Sequence, residues 1–166
     1  MSPLPGFLPG VGVSLVAGWL ASERVARAVG SSRWLSFAFI ASIGVVASAT
    51  LTPFTGSPTP HPGSCDMSRI GLAPIQDLLR LGDVSGNVLL FVPLGICLGL
   101  LPPSRARALL IAAAMAYPFI IEGTQLVLVP LNRACESADV VDNLTGLVVG
   151  VAAVALARLV ARTALR

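Results

Sequence analysis

The sequence predicts an all-α fold, a polytopic transmembrane helix bundle of about five spans, from its composition, its apolar runs and its arginine placement. Hydrophobic residues make up 55% of the 166-residue chain, charged residues make up 11%, and the mean hydropathy is +0.85. A soluble domain of this length has too little interior to bury so much apolar surface. We therefore expect an integral membrane protein with a single domain over residues 1–166 and no nucleic-acid-binding surface.

Five apolar runs account for the predicted spans, because a helix needs roughly 20 residues to cross about 30 Å of hydrocarbon. The first run is rich in proline and glycine, including Pro5 and Pro9. We therefore expect its early part to be irregular and its helix to begin near Val11. The runs comprise residues 4–22, 34–54, 86–102, 108–131 and 140–161.

The arginines indicate the orientation of the bundle, because short basic loops stay on the cytoplasmic side of a membrane. The chain has no lysine, and only Arg69, Arg80 and Arg133 fall on one side of the predicted spans. We therefore expect the carboxyl terminus inside and the amino terminus outside. Most of the acidic residues fall on the external side, so we expect the polar function there. The arginines of the cytoplasmic side are Arg24, Arg27, Arg33, Arg105, Arg107, Arg158, Arg162 and Arg166.

The external connection at residues 55–82 is rich in proline and contains one of the three cysteines. Cys65 in this loop and Cys135 in the other sizeable external connection both face an oxidising side, so we predict a disulfide between them. Two unrelated thiols are the alternative. Cys97 is interpreted as a small apolar filler, and His61 as a solvated loop residue, so no metal site is predicted.

Residues 72–82 carry isoleucine and leucine at helical spacing, which is typical of a short amphipathic helix lying in the membrane interface. Two pairs of small residues, Gly95 with Gly99 and Gly146 with Gly150, occur within the third and fifth runs. This spacing favours close approach of helix backbones, and we interpret both pairs as packing devices.

Polar side chains concentrate at the external ends of the last three runs. Glu122 and Gln125 are three residues apart and therefore share one helix face, as do Asp139 and Asn143 on the next helix. A carboxylate at membrane depth costs at least about 3 kcal/mol without a partner, so it marks a functional site, and Arg133 is the expected counter-ion. The predicted external polar pocket comprises Asn87, Glu122, Gln125, Arg133, Asp139, Asp142 and Asn143.

Three motifs give this sequence a resemblance to a known family. They are NVLLFVPLG at 87–95, EGTQL at 122–126 and RACESADVVDNLTGLVVG at 133–150. In this combination the chain resembles the VanZ-like membrane proteins, over about residues 50–161. The resemblance implies a small multi-pass protein of the bacterial plasma membrane and cell envelope. It also implies a link to glycopeptide antibiotic resistance of the teicoplanin type, through lipid-linked cell-wall precursors.

Our leading hypothesis is recognition of a membrane lipid or lipid-linked cell-wall precursor headgroup at the external pocket, with no cofactor. The first alternative is an intramembrane acid–base enzyme, in which Glu122 acts with Asp139 or Asp142. We lean against it because the sequence shows no serine or cysteine nucleophile paired with histidine. The second alternative is a polar network that only fixes helix packing. Transport is less favoured because no internal repeat is visible. The sequence does not indicate an oligomeric state.

Overall fold

The computed structural model describes residues 5–56 and 63–164. These residues are mostly helical, which confirms the all-α fold, and a 3₁₀ turn at Val129–Leu131 is the remaining helical piece. The two short strands are β1 (Cys65–Asp66) and β2 (Cys135–Glu136). The helices are α1 (Phe7–Val29), α2 (Arg33–Thr50), α3 (Ile75–Leu79), α4 (Asp83–Leu100), α5 (Arg105–Val127) and α6 (Ser137–Ala164).

Within the described residues, the helices α2, α4, α5 and α6 are long and apolar enough to cross a membrane. The polytopic helix bundle is therefore confirmed. Helix α1 has 23 residues and is about 34 Å long, but its carboxyl end carries Glu23, Arg24 and Arg27. It pairs antiparallel with α2, because Gly10 approaches Ser48 and Gly18 lies nearer the opposite end of α2. Helix α1 thus covers the same depth as α2, and its role as a fifth span stays a prediction.

The first helix begins earlier than the sequence suggested. Helix α1 starts at Phe7 rather than near Val11, so the expectation of an irregular start was wrong for these residues. Pro9 is the third residue of the helix, where a backbone N–H has no intrahelical acceptor and its absence costs no hydrogen bond. Residue 4, at which the predicted run began, lies outside the described residues. Helix α2 ends at Thr50, three residues before Pro53.

Helices α4 and α6 run parallel to each other and pack through their glycines. A Cβ atom on Gly146 would collide with the carbonyl oxygen of Val88, and one on Gly95 would collide with the carbonyl oxygen of Leu147. Only a residue without a side chain allows the two backbones to come this close. The packing interpretation of the glycine pairs is confirmed, and we call this contact the α4–α6 seam.

Helix α5 is attached to α2 by two side-chain hydrogen bonds. Tyr117 Oη donates to the Ile43 carbonyl at 3.1 Å, and Gln125 Nε2 donates to the Thr50 carbonyl at 3.0 Å. Between α2, α4 and α5 lies an apolar groove of about 210 Å³. Its lining comprises Phe39, Ile43, Leu94, Leu110, Ala113, Ala114 and Tyr117.

The loop after α2 is tied back to the bundle by a disulfide. Cys65 and Cys135 are bonded, with their Cα atoms 4.6 Å apart, which confirms the predicted pair. Around this bond β1 and β2 pair in parallel register. Part of the predicted loop, residues 57–62 with His61, lies outside the described residues. Helix α3 falls inside the predicted interfacial segment at 72–82, and its apolar side chains are largely exposed.

The bundle has two chemically different ends. One end gathers the carboxyl ends of α2 and α5, the amino ends of α4 and α6, and the disulfide-bonded loop. We call it the polar end, and it is the end predicted to be external. The opposite end carries the arginines of the last turns of α1 and α6 and of the first turns of α2 and α5.

Candidate functional site

The sequence-predicted site residues all lie towards the polar end, on four different elements. Glu122 and Gln125 lie on α5, and both are buried. Asp142 and Asn143 lie on α6 and are exposed by only 2% and 1%. Asp139 on α6, Asn87 on α4 and Arg133 in the α5–α6 connection are half-buried.

Glu122 contacts the beginning of α6. Its Oε2 atom accepts a hydrogen bond of 2.8 Å from the backbone N–H of Glu136, the residue immediately before that helix. The amino end of a helix carries unpaired N–H groups and a partial positive charge, so a carboxylate is stabilised there. Glu122 therefore joins α5 to the start of α6, which is a structural role in itself.

Asp142 is paired with an arginine that the sequence analysis did not select. Arg69 Nη2 donates to Asp142 Oδ2 at 2.6 Å, and Nη1 donates to the Gly71 carbonyl at 3.0 Å. The hydrogen bond that Arg69 donates to Asp142 raises the pKa of Arg69, so the guanidinium remains charged. Ser137 Oγ donates to the Arg69 carbonyl at 2.8 Å, which fixes the backbone of the loop as well.

The expectation that Arg133 serves as counter-ion to the carboxylates was wrong. Its guanidinium donates to the Ala49 carbonyl at 2.7 Å and the Thr52 carbonyl at 3.3 Å, at the carboxyl end of α2. The last carbonyls of a helix have no intrahelical donor, so a cation is stabilised there. Burial lowers the pKa of Arg133, and the charge of Asp139 opposes that shift.

Two buried amide oxygens at the polar end accept no hydrogen bond from the described residues. They are Gln125 Oε1 and Asn143 Oδ1. Most buried polar groups in native proteins have a partner, so each of these oxygens requires an explanation. Gln125 uses only its amide nitrogen, which donates to α2, and within the described structure the Asn143 side chain forms no hydrogen bond.

The polar end carries more negative charge than positive charge. Asp139 is close enough to Glu136, Asp142 and Asp83 for their charges to interact, and Arg69 and Arg133 are the cations that act on it. Neither Asp139 nor Glu136 has a side-chain hydrogen bond to another described residue. Over residues 5–56 and 63–164, no group of histidine, cysteine, aspartate or glutamate is arranged to hold a metal ion.

The sequence contains a signal that points to Arg69. Arg69 follows Cys65 by four residues, and Asp142 follows Cys135 by seven. Once the disulfide is predicted, the chain after Cys65 must run beside the start of α6. A cation in that stretch is then a candidate partner for the first acids of the helix.

The family model described as VanZ/LLP1 matches residues 14–158, from within α1 to within α6. The match contains all three motifs on which the resemblance rests, and it extends that resemblance towards the amino terminus. No curated protein and no solved structure matches the chain. Because the family model covers most of the chain, this membrane protein belongs to the VanZ/LLP1 family.

Proposed function

We propose that this VanZ-like protein recognises the headgroup of a membrane lipid or a lipid-linked cell-wall precursor at the polar end. The observation that carries the proposal is the pair of buried, unpartnered amide oxygens of Gln125 and Asn143. Leaving a buried acceptor without a donor costs about 1–3 kcal/mol. A bound headgroup that supplies the missing donors would offset that cost.

The location of these groups supports a lipid as the ligand. They lie near the ends of membrane-spanning helices, at the level where lipid headgroups meet the hydrocarbon. The apolar groove on α2, α4 and α5 begins lower on α5, where Tyr117 precedes Glu122 by five residues or about 8 Å. A lipid with its headgroup at the polar end would have room for an acyl chain along this groove.

The cellular location and the orientation of the protein are part of the same proposal. We place the protein in the plasma membrane of a bacterium with the polar end facing outwards, as its arginine distribution predicts. A protein that holds a cell-wall precursor headgroup there would change the access of glycopeptide antibiotics such as teicoplanin to that precursor. This would account for the resistance that the family resemblance implies.

A structural polar network is the second candidate, and specific contacts favour it. Glu122 holds the start of α6, while Gln125 and Arg133 bond the carbonyl groups at the end of α2. These bonds fix how the helices meet, without any ligand. They do not account for the unpartnered oxygen of Asn143. Burying an acceptor without a donor is destabilising, so a network that served only helix packing would not be expected to contain one.

Native mass spectrometry of the purified protein tests the proposal directly. We expect a specific lipid adduct on the wild type that is reduced in Glu122→Gln, because the neutral amide keeps the acceptor for Glu136 N–H but loses the charge. Glu23→Gln is the matched control, since this exposed glutamate lies at the opposite end of the bundle and should retain the adduct. Absence of any specific adduct on the wild type would contradict recognition.

Asn143→Leu separates the two candidates. Leucine has the branching of asparagine without its polar atoms, and removing an unpartnered buried amide should leave the thermal unfolding temperature in detergent unchanged or higher. Recognition predicts loss of the lipid adduct with the fold intact. A clear fall in thermal stability would instead favour the structural network.

A further inference from the structure

We infer that the ligand group taken up at the polar end is a primary ammonium rather than an anion such as a phosphate. The inference rests on the proposed function and specifies the chemical class of the ligand. It follows from the charged groups and hydrogen-bond acceptors of the polar end that have no bonding partner among the described residues.

The cations at this end are Arg69, Arg80 and Arg133. Arg80 is exposed on the loop, and the other two are already engaged by the protein. Arg69 is bound to Asp142 and to the Gly71 carbonyl. Arg133 is bound to the carbonyl groups of Ala49 and Thr52. An incoming phosphate or carboxylate would have to break these bonds to obtain Arg69 or Arg133 as a bidentate partner.

The acids at this end are not balanced by those cations. Glu122, Glu136 and Asp139 form no ion pair with a described residue, and Arg69 and Arg133 act on Asp139 only through charge interactions without a direct bond. A group of acids without ion-pair partners disfavours a further anion and favours a cation. The described residues are not arranged to hold a metal ion, so an organic cation is the better match.

The unpartnered amide oxygens specify what kind of organic cation fits. Gln125 lies one turn from Glu122 on α5, and Asn143 lies one turn from Asp139 on α6, so each buried acceptor accompanies a carboxylate. An ammonium group has three N–H donors and a compact charge, which suits several acceptors from two helices.

A quaternary ammonium is a poorer match for this end of the bundle. It has no N–H donor for the amide oxygens, and proteins recognise it mainly through aromatic rings. The Phe54 ring at the polar end already has the Arg133 guanidinium 5.6 Å from its centre. A primary amine occurs on the headgroup of phosphatidylethanolamine and on peptides carried by membrane-anchored lipids, and both sources supply the same chemistry.

Native mass spectrometry titrations with lipids of identical acyl chains test the inference on the wild-type protein. We expect phosphatidylethanolamine to bind at least about tenfold more tightly than phosphatidylcholine or phosphatidylglycerol, because only the first supplies charged N–H donors. A lipid-linked peptide with a free amine, compared with its N-acetylated form, distinguishes the second source. Tight binding of that peptide in place of phosphatidylethanolamine would support the ammonium and identify its carrier.

Asp139→Asn provides the matched test on the protein, because Asp139 forms no hydrogen bond to another described residue and its loss should spare the fold. We expect affinity for the amine-bearing probe to fall about tenfold, while Glu23→Gln leaves it unchanged. Preferential binding of phosphatidylglycerol, strengthened by Asp139→Asn, would overturn the ammonium and leave headgroup recognition standing. Equal binding of the choline and ethanolamine lipids, together with equal binding of the free-amine and N-acetylated peptides, would also overturn it. No selective binding of any probe would overturn both proposals.

Discussion

Helix α6 is held in two contrasting ways along its length. In its middle, the α4–α6 seam brings backbone against backbone, with Gly146 against the Val88 carbonyl and Gly150 against the Val92 carbonyl. At its start, α6 is held by polar bonds, from Arg69 to Asp142 and from Glu136 to Glu122. The first contact leaves no space, whereas the second leaves acceptors without donors.

The difference follows from the fact that lipid, rather than water, surrounds these helices. Lipid tails solvate apolar side chains as well as another helix does, so helices in a membrane associate through close packing or through polar bonds. The seam uses close packing and has no room for a ligand. The polar end is held by hydrogen bonds and ion pairs, whose directions limit how many groups can be paired, and the oxygens of Gln125 and Asn143 remain without donors.

Of the substitutions that test this comparison, Gly146→Leu should have the largest effect on the stability of the fold. The new side chain would meet the Val88 carbonyl and the Phe91 side chain, so the two helices must separate. We expect a loss of more than about 3 kcal/mol in stability and little folded protein after size-exclusion chromatography. Gly123→Leu is the matched control, because nothing lies near a Cβ atom at this position on α5. A normal yield of folded Gly146→Leu would contradict the close seam.

Arg69→Met should have an intermediate effect. It leaves the Asp142 carboxylate, which is 2% exposed, without its cation. We expect a loss of about 2 kcal/mol, less than for a fully buried pair because 26% of the Arg69 side chain is exposed. Thermal unfolding in detergent measures it, with Arg80→Met as the control, since Arg80 lies on the same loop and is exposed. Equal stability of the two variants would show that the ion pair does not hold the loop.

Tyr117→Phe should have the smallest effect. It removes the hydrogen bond from α5 to the Ile43 carbonyl and keeps the ring that lines the apolar groove. Such bonds between membrane helices contribute about 0.6 kcal/mol on average. Denaturant titration against Phe119→Leu, a change at a lipid-exposed position of the same helix, measures the difference. A loss as large as that expected for Arg69→Met would mean that α5 is attached more firmly than its contacts indicate.

Much of the fold could be predicted from the sequence because its signals are local. Apolar runs of span length identify α2, α4, α5 and α6, and the two external cysteines identify the disulfide. The start of α1 was misjudged because Pro9 can break a helix or occupy its first turn, and the sequence alone does not separate these cases.

The candidate site was predicted as a set of residues and only partly as a set of contacts. Glu122, Asp142 and Asn143 were selected because polar groups in apolar runs are rare and costly. The partner of Asp142 was missed because Arg69 is 73 residues away in a long loop, and Arg133 was assigned to the wrong acceptors. A guanidinium is stabilised by a carboxylate or by a helix end, and the choice depends on which lies within reach.

The sequence by itself determined that this is a membrane-embedded helix bundle of the VanZ/LLP1 family with a polar end, because composition, run length and motif are properties of the chain alone. Only the tertiary structure decided that α4 pairs with α6 rather than with its neighbour α5, and that Arg69 rather than Arg133 neutralises Asp142. Every apolar helix face is equally satisfied by lipid, so the partners are selected by backbone fit and by the reach of individual polar atoms.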